Sequence, residues 1–110
     1  MNKTARAHFV HGFDLAREGK WSKAIKMINK GLALEPNDYA GIMNRCTCYA
    51  MLDCFAESLA DADRLIELKP DDWHGYHLRG NILSEMGCHD EANEAYKDAD
   101  LKRRSQKGND

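Results

Sequence analysis

An internal repeat of 34 residues is the feature that most constrains how this chain can fold. The segment "KGLALEPND" at residues 30–38 returns as "RLIELKPDD" at residues 64–72. Aligned on itself with that shift, the chain forms three consecutive rows, residues 5–38, 39–72 and 73–106. A period of this length is typical of architectures in which each repeat is one supersecondary unit that buries its apolar face against its neighbours. We therefore expect a stack of three similar units.

Equivalent positions of the three rows agree in chemistry. The columns hold small residues, large apolar residues or turn residues: Gly12, Cys46 and Gly80; Leu15, Tyr49 and Leu83; Gly19, Asp53 and Gly87; Ala24, Ser58 and Ala92. On both sides of the turn column apolar residues recur at spacings of three and four, with no proline between them, which predicts two helices. Each row is predicted to be a helical hairpin, giving six helices.

The ends of these helices also carry repeated signals. Thr4, Asp38 and Asp72 lie 34 residues apart, and each side chain can accept hydrogen bonds from the free N–H groups of a first helical turn. Pro36 and Pro70 share one column, and proline disfavours helical geometry in the residue before it. We therefore predict that the first helices begin at the three polar residues and that the second helices of rows one and two end at the prolines.

The period, together with its small, large apolar, alanine, aromatic and proline columns, resembles the tetratricopeptide repeat family. The resemblance implies an all-α fold, a right-handed α-solenoid of three helix-turn-helix hairpins. It would form one domain over residues 5–106, with residues 1–4 as a lead-in and residues 107–110 as a tail. The alternative is an ordinary six-helix bundle with an accidental period. Two columns depart from the family pattern, the usual Trp column and the following Leu column, which hold His8, Ile42, Tyr76 and His11, Arg45, Arg79.

The third row differs from the others in its second helix. Three positions that are apolar in rows one and two become polar there, Asn93, Asp100 and Lys102. A stacked array needs a polar outer face at its end, so this pattern predicts a capping repeat and a self-contained domain of three repeats. The alternative is drift in a fragment of a longer array. The basic residues of the segment 102–107 are expected to form a solvated helix end, with nuclear targeting as the alternative.

Composition and spacing exclude several classes of function. A formal net charge of -2 creates no strong field for nucleic acid or a membrane surface, and no apolar stretch approaches the ~20 residues that span a bilayer. No nucleophile with its base, no phosphate loop and no set of three or four metal ligands is present, so we expect no enzyme, cofactor or metal site. Without a signal peptide, the four cysteines are predicted to be reduced thiols and the location cytoplasmic, or alternatively nuclear.

In the tetratricopeptide repeat family, the first helices line a concave groove that receives a peptide or a partner helix. The resemblance therefore implies that the partner is a protein or a peptide. By their columns, ten residues are predicted to line the groove: Phe9, Phe13, Met43, Asn44, Thr47, Met51, His74, His77, Leu78 and Asn81. Met43, Asn44, Thr47, His77 and Asn81 keep this prediction whichever way the first helix is rotated.

The orientation of Phe9 and Phe13 is open at this point. An aromatic stripe with helical spacing is usually core, in which case both rings pack inward and His8 and His11 face water. In the family register, both rings instead form an apolar patch in the groove. Such a patch could also pair with a second copy of the chain, so a homodimer is the alternative to peptide binding.

Co-chaperones with similar repeats grip an acidic C-terminal tail through a two-carboxylate clamp of Lys, Asn, Asn, Lys and Arg. The corresponding columns here hold Phe9, Phe13, Asn44, His74 and Leu78. Only Asn44 matches, and a site without cations cannot compensate the desolvation of two carboxylates. We therefore predict binding by apolar anchors, with Asn44 and Asn81 hydrogen-bonded to the peptide backbone, and keep a co-chaperone as the remote alternative.

Overall fold

The computed structural model describes residues 1–108, and within that range the chain contains six α-helices and no strand. In chain order these are α1 (Lys3–Arg17), α2 (Trp21–Leu34), α3 (Tyr39–Met51), α4 (Phe55–Leu68), α5 (His74–Glu85) and α6 (His89–Gly108). Short turns join them as three helical hairpins, as predicted. No helix in the described range is both long enough and apolar enough to cross a bilayer. Helix α6 continues into the predicted tail, and residues 109 and 110 lie outside the described range.

The turn column has one backbone geometry in all three hairpins. Gly19, Asp53 and Gly87 have φ angles of 77°, 58° and 82°, in the left-handed region. The next amide in each turn donates to the carbonyl oxygen five residues earlier, at 2.8 to 2.9 Å: Lys20 to Leu15, Cys54 to Tyr49, and Cys88 to Leu83. This is the Schellman arrangement, which satisfies carbonyls left free at the end of a helix. The predicted turns are thus confirmed.

The predicted capping residue is found at the start of α3 but not at the start of α1. Asp38 accepts a hydrogen bond from the Gly41 amide at 2.9 Å, so its predicted role as the cap of α3 is confirmed. In α1, however, the cap is Asn2, whose side chain accepts from the amides of Thr4 and Ala5 at 2.8 and 3.1 Å. The prediction of Thr4 as the cap is wrong, because Asn2 is also a good capping residue and the helix begins two residues earlier, at Lys3.

The prediction for Asp72 is also wrong. Helix α5 begins at His74, and the residue before it, Trp73, makes no side-chain cap hydrogen bond. The Asp72 carboxylate lies instead 2.9 Å from Nδ1 of His74. The cap position of α5 is therefore Trp73, one residue after the predicted one.

The two prolines do mark the ends of second helices. Helix α2 ends at Leu34, two residues before Pro36, and α4 ends at Leu68, two residues before Pro70. Each proline ring disfavours helical geometry in the residue before it, which is Glu35 or Lys69. The predicted ends of these two helices are confirmed.

The packing divides the described chain into two compact units, unit 1 from Met1 to Asp61 and unit 2 from Ala62 onward, with the boundary inside α4. In unit 1 the ring of Phe9 enters a space that only glycine leaves open. A Cβ atom at Gly31 of α2 or at Gly41 of α3 would lie 2.5 to 2.6 Å from this ring. The two glycines therefore let α1 bury Phe9 against both neighbouring helices.

The small columns mark close helix contacts in both units. In unit 1, Gly12 faces Ile28, and the Ser58 hydroxyl donates to the Cys46 carbonyl at 2.8 Å. In unit 2, a Cβ atom at Gly80 would meet the ring of Tyr96 at 2.7 Å. Small residues in these columns thus allow the helices of each hairpin to approach each other.

The departures in the Leu column have a structural explanation. Arg45 donates to the Asp61 carboxylate at 2.7 and 2.9 Å and to the Asn29 amide oxygen at 2.9 Å, all within unit 1. Within unit 2, Arg79 pairs with Asp63 at 2.6 Å. Both arginines thus bond to a residue 16 positions earlier, on the second helix of the preceding hairpin. The hydrogen bonds that Arg45 donates to Asp61 also raise the pKa of the Arg45 guanidinium above its ordinary value.

Candidate functional site

The two phenylalanines of α1 have different positions in unit 1. Phe9 is only 3% exposed, whereas Phe13 is half-buried and stacks on it with ring centroids 6.0 Å apart and an angle of 18° between the planes. His11 is exposed. Phe9 is therefore a core residue, and its prediction as an exposed groove anchor is corrected: burial of the ring against Gly31 and Gly41 outweighs the family register. Phe13 keeps part of its ring accessible.

Helix α3 supplies the remaining predicted residues of unit 1. Gly41 lies against Phe9 of α1, and Asn44, three residues later, follows on the same side of the helix. The Asn44 side-chain amide donates to the Ala40 carbonyl at 2.8 Å, which leaves its own carbonyl oxygen as an acceptor.

The other three α3 residues differ in exposure. The Thr47 hydroxyl donates to the Met43 carbonyl at 3.2 Å. Met43 is half-buried, Thr47 is exposed, and Met51 is 56% exposed. Together with Phe13 and Asn44, these residues are called the unit 1 face below.

The unit 2 face consists of His74, His77, Leu78 and Asn81 on α5. His74 stacks on Trp73 with ring centroids 3.9 Å apart, and His77 meets the edge of the same indole at 5.7 Å. Both histidines are exposed, while Leu78 is half-buried. The face is thus aromatic, with imidazoles that can donate or accept hydrogen bonds.

Helix α6 completes this face with two residues that the sequence reasoning missed. Tyr96 lies 5.7 Å from His77 and donates its hydroxyl to the Asn81 carbonyl oxygen at 2.7 Å. Arg103 lies 5.6 Å above the ring of Trp73, in a cation–π arrangement. The sequence did hold a signal for Tyr96: it is the one large residue among the alanines of α6, and its ring lies against Gly80 on α5. With its oxygen occupied, the Asn81 amide can still donate its N–H groups to a ligand.

The cysteines and histidines of the described chain lie apart from any cluster of metal-ligand size. Within residues 1–108, no group of three or more His, Cys, Asp or Glu side chains could hold an ion. None of the four cysteines, all within the described residues, forms a disulfide; Cys46 and Cys48 are buried, and Cys54 and Cys88 are half-buried. Burial raises the pKa of the Cys48 thiol because a thiolate loses its solvation there.

Sequence comparison relates the chain to Hsp70-Hsp90 organizing proteins, over a small part of their length. The chain is 35% identical over 82 residues to Hsp70-Hsp90 organizing protein 3 of Arabidopsis thaliana, a match that covers 74% of this chain and 15% of that protein. It is 33% identical over 86 residues to Hsp70-Hsp90 organizing protein of Triticum aestivum, covering 78% of this chain and again 15% of the relative. No protein-family model matches the chain.

Comparison with solved structures supports the same fold. The second TPR of Spaghetti (RPAP3), bound to the HSP90 peptide SRMEEVD, superposes with a TM-score of 0.81 at 22% identity over 90% of this chain and 92% of that one. The TPR2B domain of yeast Sti1, in a complex with pHsp70, superposes with a TM-score of 0.85 at 24% sequence identity. The match covers 92% of this chain and 81% of that one. The crystal structure of MamA superposes with a TM-score of 0.89 at 19% sequence identity, and the match covers 96% of this chain and 61% of that one. With its three helical hairpins and 34-residue period, the chain belongs to the tetratricopeptide repeat family.

Proposed function

We propose that the chain is a protein-interaction module that binds a partner peptide through apolar anchors on the exposed sides of its first helices. The observation that carries the proposal is the Phe13 ring, which stacks on the buried Phe9 and is half-accessible on the unit 1 face. A ring already held by a core neighbour loses little conformational entropy when a ligand covers it. Met51 on α3, 56% exposed, adds a flexible apolar side chain to the unit 1 face. The proposal includes no catalytic role.

The asparagines would fix the register of the bound peptide. Asn44 has a free carbonyl oxygen for a backbone N–H, and Asn81 has free N–H groups for a backbone C=O. Each such hydrogen bond contributes about 0.5 to 1.5 kcal/mol to the free energy of binding. A peptide group that is covered by the protein without a hydrogen-bond partner costs more than that. Apolar anchors would thus supply most of the affinity, and the amides would supply orientation.

Binding by a two-carboxylate clamp is not part of the proposal. Two of the five clamp columns hold Phe9 and Phe13, and one of these rings is buried. A third holds Leu78, and His74, in the fourth, lies in hydrogen-bonding contact with Asp72. None of these side chains is a free cation that could compensate a desolvated carboxylate.

The second candidate function is recognition of a chaperone tail. It is favoured by the 35% identity to Hsp70-Hsp90 organizing protein 3 and by the neighbour bound to SRMEEVD. The unit 1 face retains Asn44 from the clamp columns, which gives this candidate one matching side chain. The two candidates differ in whether the free C-terminal carboxylate of the peptide matters.

Amide-shift titration of the isotope-labelled protein separates the two candidates. The probes are SRMEEVD and its C-terminal amide, which keeps every side chain and removes only the terminal carboxylate. We expect the amidated peptide to bind as tightly as SRMEEVD, with shifts at Phe13, Met43 and Asn44. Tighter binding of SRMEEVD that is lost when its C-terminus is amidated would establish tail recognition instead.

Self-association was the alternative to peptide binding. It relied on an exposed stripe of Phe9 and Phe13, and the burial of Phe9 removes one of the two rings. A single half-buried ring offers much less apolar area to a second copy. A mass from light scattering that stays at the monomer value over a concentration series would exclude the homodimer.

A further inference from the structure

The two arginines of the Leu column differ in how many of their donors are used. In unit 1, Arg45 donates through Nη1 to the Asn29 amide oxygen and through Nε and Nη2 to the Asp61 carboxylate. In unit 2, Arg79 donates through Nη1 to Asp63 at 2.6 Å. Asp63 is the equivalent of Asn29, 34 residues later. Arg79 thus keeps the first of the two partners that Arg45 has.

The second partner is missing in unit 2. The equivalent of Asp61 is Ala95, which is 4% exposed. Within residues 1–108, Nε and Nη2 of Arg79 have no hydrogen-bond acceptor. No buried side-chain nitrogen or oxygen of the described residues lacks a partner, so these two nitrogens are open to solvent. The donors that Arg45 uses for a carboxylate are therefore free on Arg79.

A pocket of about 320 Å³ lies beside Arg79, between α4, α5 and α6 of unit 2. A water molecule takes up ~30 Å³ in the liquid, so the pocket can admit a side chain. We call it the α4–α6 pocket. At 3.6 residues per turn, Arg79 projects from the side of α5 opposite His77, so the pocket is separate from the unit 2 face. Its walls include two apolar side chains and three carboxylates: Ile66, Ala95, Glu91, Glu94 and Asp98.

The charges around the α4–α6 pocket disfavour an ionic ligand of either sign. Glu94 pairs with Lys97 at 3.4 Å, whereas no ion pair within residues 1–108 involves Glu91 or Asp98. The next cation along the helix, Lys102, lies 3.8 Å from a different carboxylate. A carboxylate ligand would therefore meet like charges on α6. A cationic ligand would leave the free guanidinium donors facing a positive charge, which is also unfavourable.

We propose that the α4–α6 pocket binds the side-chain amide of a glutamine or asparagine from a partner protein. The amide oxygen would accept from Nε and Nη2 of Arg79, at the place that Asp61 fills in unit 1. The amide NH2 group would donate to Glu91 or Asp98. A carboxamide suits both sets of groups because it is neutral and carries an acceptor and two donors. This contact is additional to the proposed binding through the first helices and does not depend on it.

Three capped amino acids that share one backbone test the chemistry of the α4–α6 pocket. They are the N-acetyl methylamides of glutamine, glutamate and lysine, so differences between them report the side chain alone. Amide and arginine Nε–H signals of the isotope-labelled chain are followed by NMR during each titration. Arg45 is the internal control, because its donors are already occupied. The variant Arg79→Leu, which has the family's usual residue in this column, identifies the Arg79 signal.

We expect the glutamine compound to shift the Arg79 signal and to leave the Arg45 signal unchanged. The glutamate and lysine compounds should bind about fivefold or more weakly, because each can make only part of the hydrogen bonds. In the variant Ala95→Asp the chain itself supplies the second carboxylate, so the response of Arg79 should be lost. A circular dichroism melt shows whether each variant is folded.

Several results would overturn this inference while the proposed function stands. These are no response of Arg79 to the glutamine compound, an equal response of Arg45, a larger response to either charged compound, or a response that persists in folded Ala95→Asp. If Ala95→Asp does not fold, the backbone amide of Ala95 is followed in Arg79→Leu instead. Its shift on addition of the glutamine compound should disappear there, and an unchanged shift would equally overturn the inference.

Discussion

The guanidinium of Arg45 on α3 binds the carboxylate of Asp61 on α4 through two hydrogen bonds, at 2.7 and 2.9 Å. The Asp61 side chain is only 7% exposed, so this ion pair is largely shielded from water. A buried ion pair is tolerated because each charge compensates the lost solvation of the other. If one partner is removed, the remaining buried charge has neither water nor a counter-charge. The α3–α4 hairpin therefore depends on both residues being present.

Removing the cation alone should destabilise the fold strongly. We expect Arg45→Ala to lower the free energy of unfolding by about 3 kcal/mol, because the Asp61 carboxylate stays buried and unpaired. Urea unfolding monitored by circular dichroism measures this. The matched control is Lys97→Ala, which removes an exposed pair with Glu94 and should cost under about 1 kcal/mol. Equal losses for the two variants would contradict the role assigned to Arg45.

The contact between Phe9 and Gly31 predicts a rescue experiment. Gly31→Ala places a Cβ atom 2.5 Å from the Phe9 ring, and we expect a loss of about 1 to 3 kcal/mol from this overpacking. In the background Phe9→Leu, the smaller side chain leaves room for the added methyl group, so the same substitution should cost much less. A double-mutant cycle by urea unfolding gives the coupling. Additive losses would mean that Phe9 does not fill the space above Gly31.

The turn column predicts a stabilising substitution. Asp53 has φ of 58°, in the left-handed region that its two equivalents occupy with glycine. Asp53→Gly should therefore raise the free energy of unfolding by up to about 1 kcal/mol, whereas Gly87→Ala should lower it by about the same amount. Thermal and urea unfolding measure both changes. Destabilisation by Asp53→Gly would show that the aspartate side chain makes a favourable interaction in this turn.

The buried thiol of Cys48 predicts a dependence on pH. Its pKa is raised in the folded protein, so above about pH 8.5, where an unperturbed thiol ionises, the unfolded chain holds fewer protons than the folded one. The free energy of unfolding should then fall as pH rises through that range. Cys48→Ala should reduce the slope in urea titrations between pH 8 and 10. An unchanged slope would mean that Cys48 ionises equally well in the folded state.

Local chemistry explains the parts of the fold that were predictable. The helices, the turn column and the proline joints depend on residues close in sequence, and the same residue types recur after 34 positions. Each of the three turns, at Gly19, Asp53 and Gly87, has the same hydrogen bonds because the same few residues determine them. The errors at Thr4 and Asp72 are local too: Asn2 lies near the first and also caps helices well, and Asp72 has a histidine partner.

The unpredicted features depend on contacts that are distant in sequence. Phe9 could not be assigned to the core without knowing that Gly31 and Gly41 open a space for its ring. For the same reason, Arg45 and Arg79 were classed as departures from the family pattern. Their acceptors lie 16 residues away, on a different helix: Arg45 bonds to Asp61 and to Asn29, and Arg79 bonds to Asp63. The hydrogen bond of Tyr96 to Asn81 likewise joins two helices whose relative rotation no local pattern specifies.

The measurement that tests the central claim most directly is the dissociation constant of one peptide that the unchanged chain selects from a random peptide library. This constant is compared between the unchanged chain and three single variants. Phe13→Ala and Asn44→Ala change the unit 1 face, whereas Asn93→Ala changes an exposed asparagine on α6. If the unit 1 face binds the peptide, the first two variants should each weaken binding by about tenfold and the third by less than about twofold. Equal affinity of all three variants for the peptide, with each shown to be folded, would contradict the account.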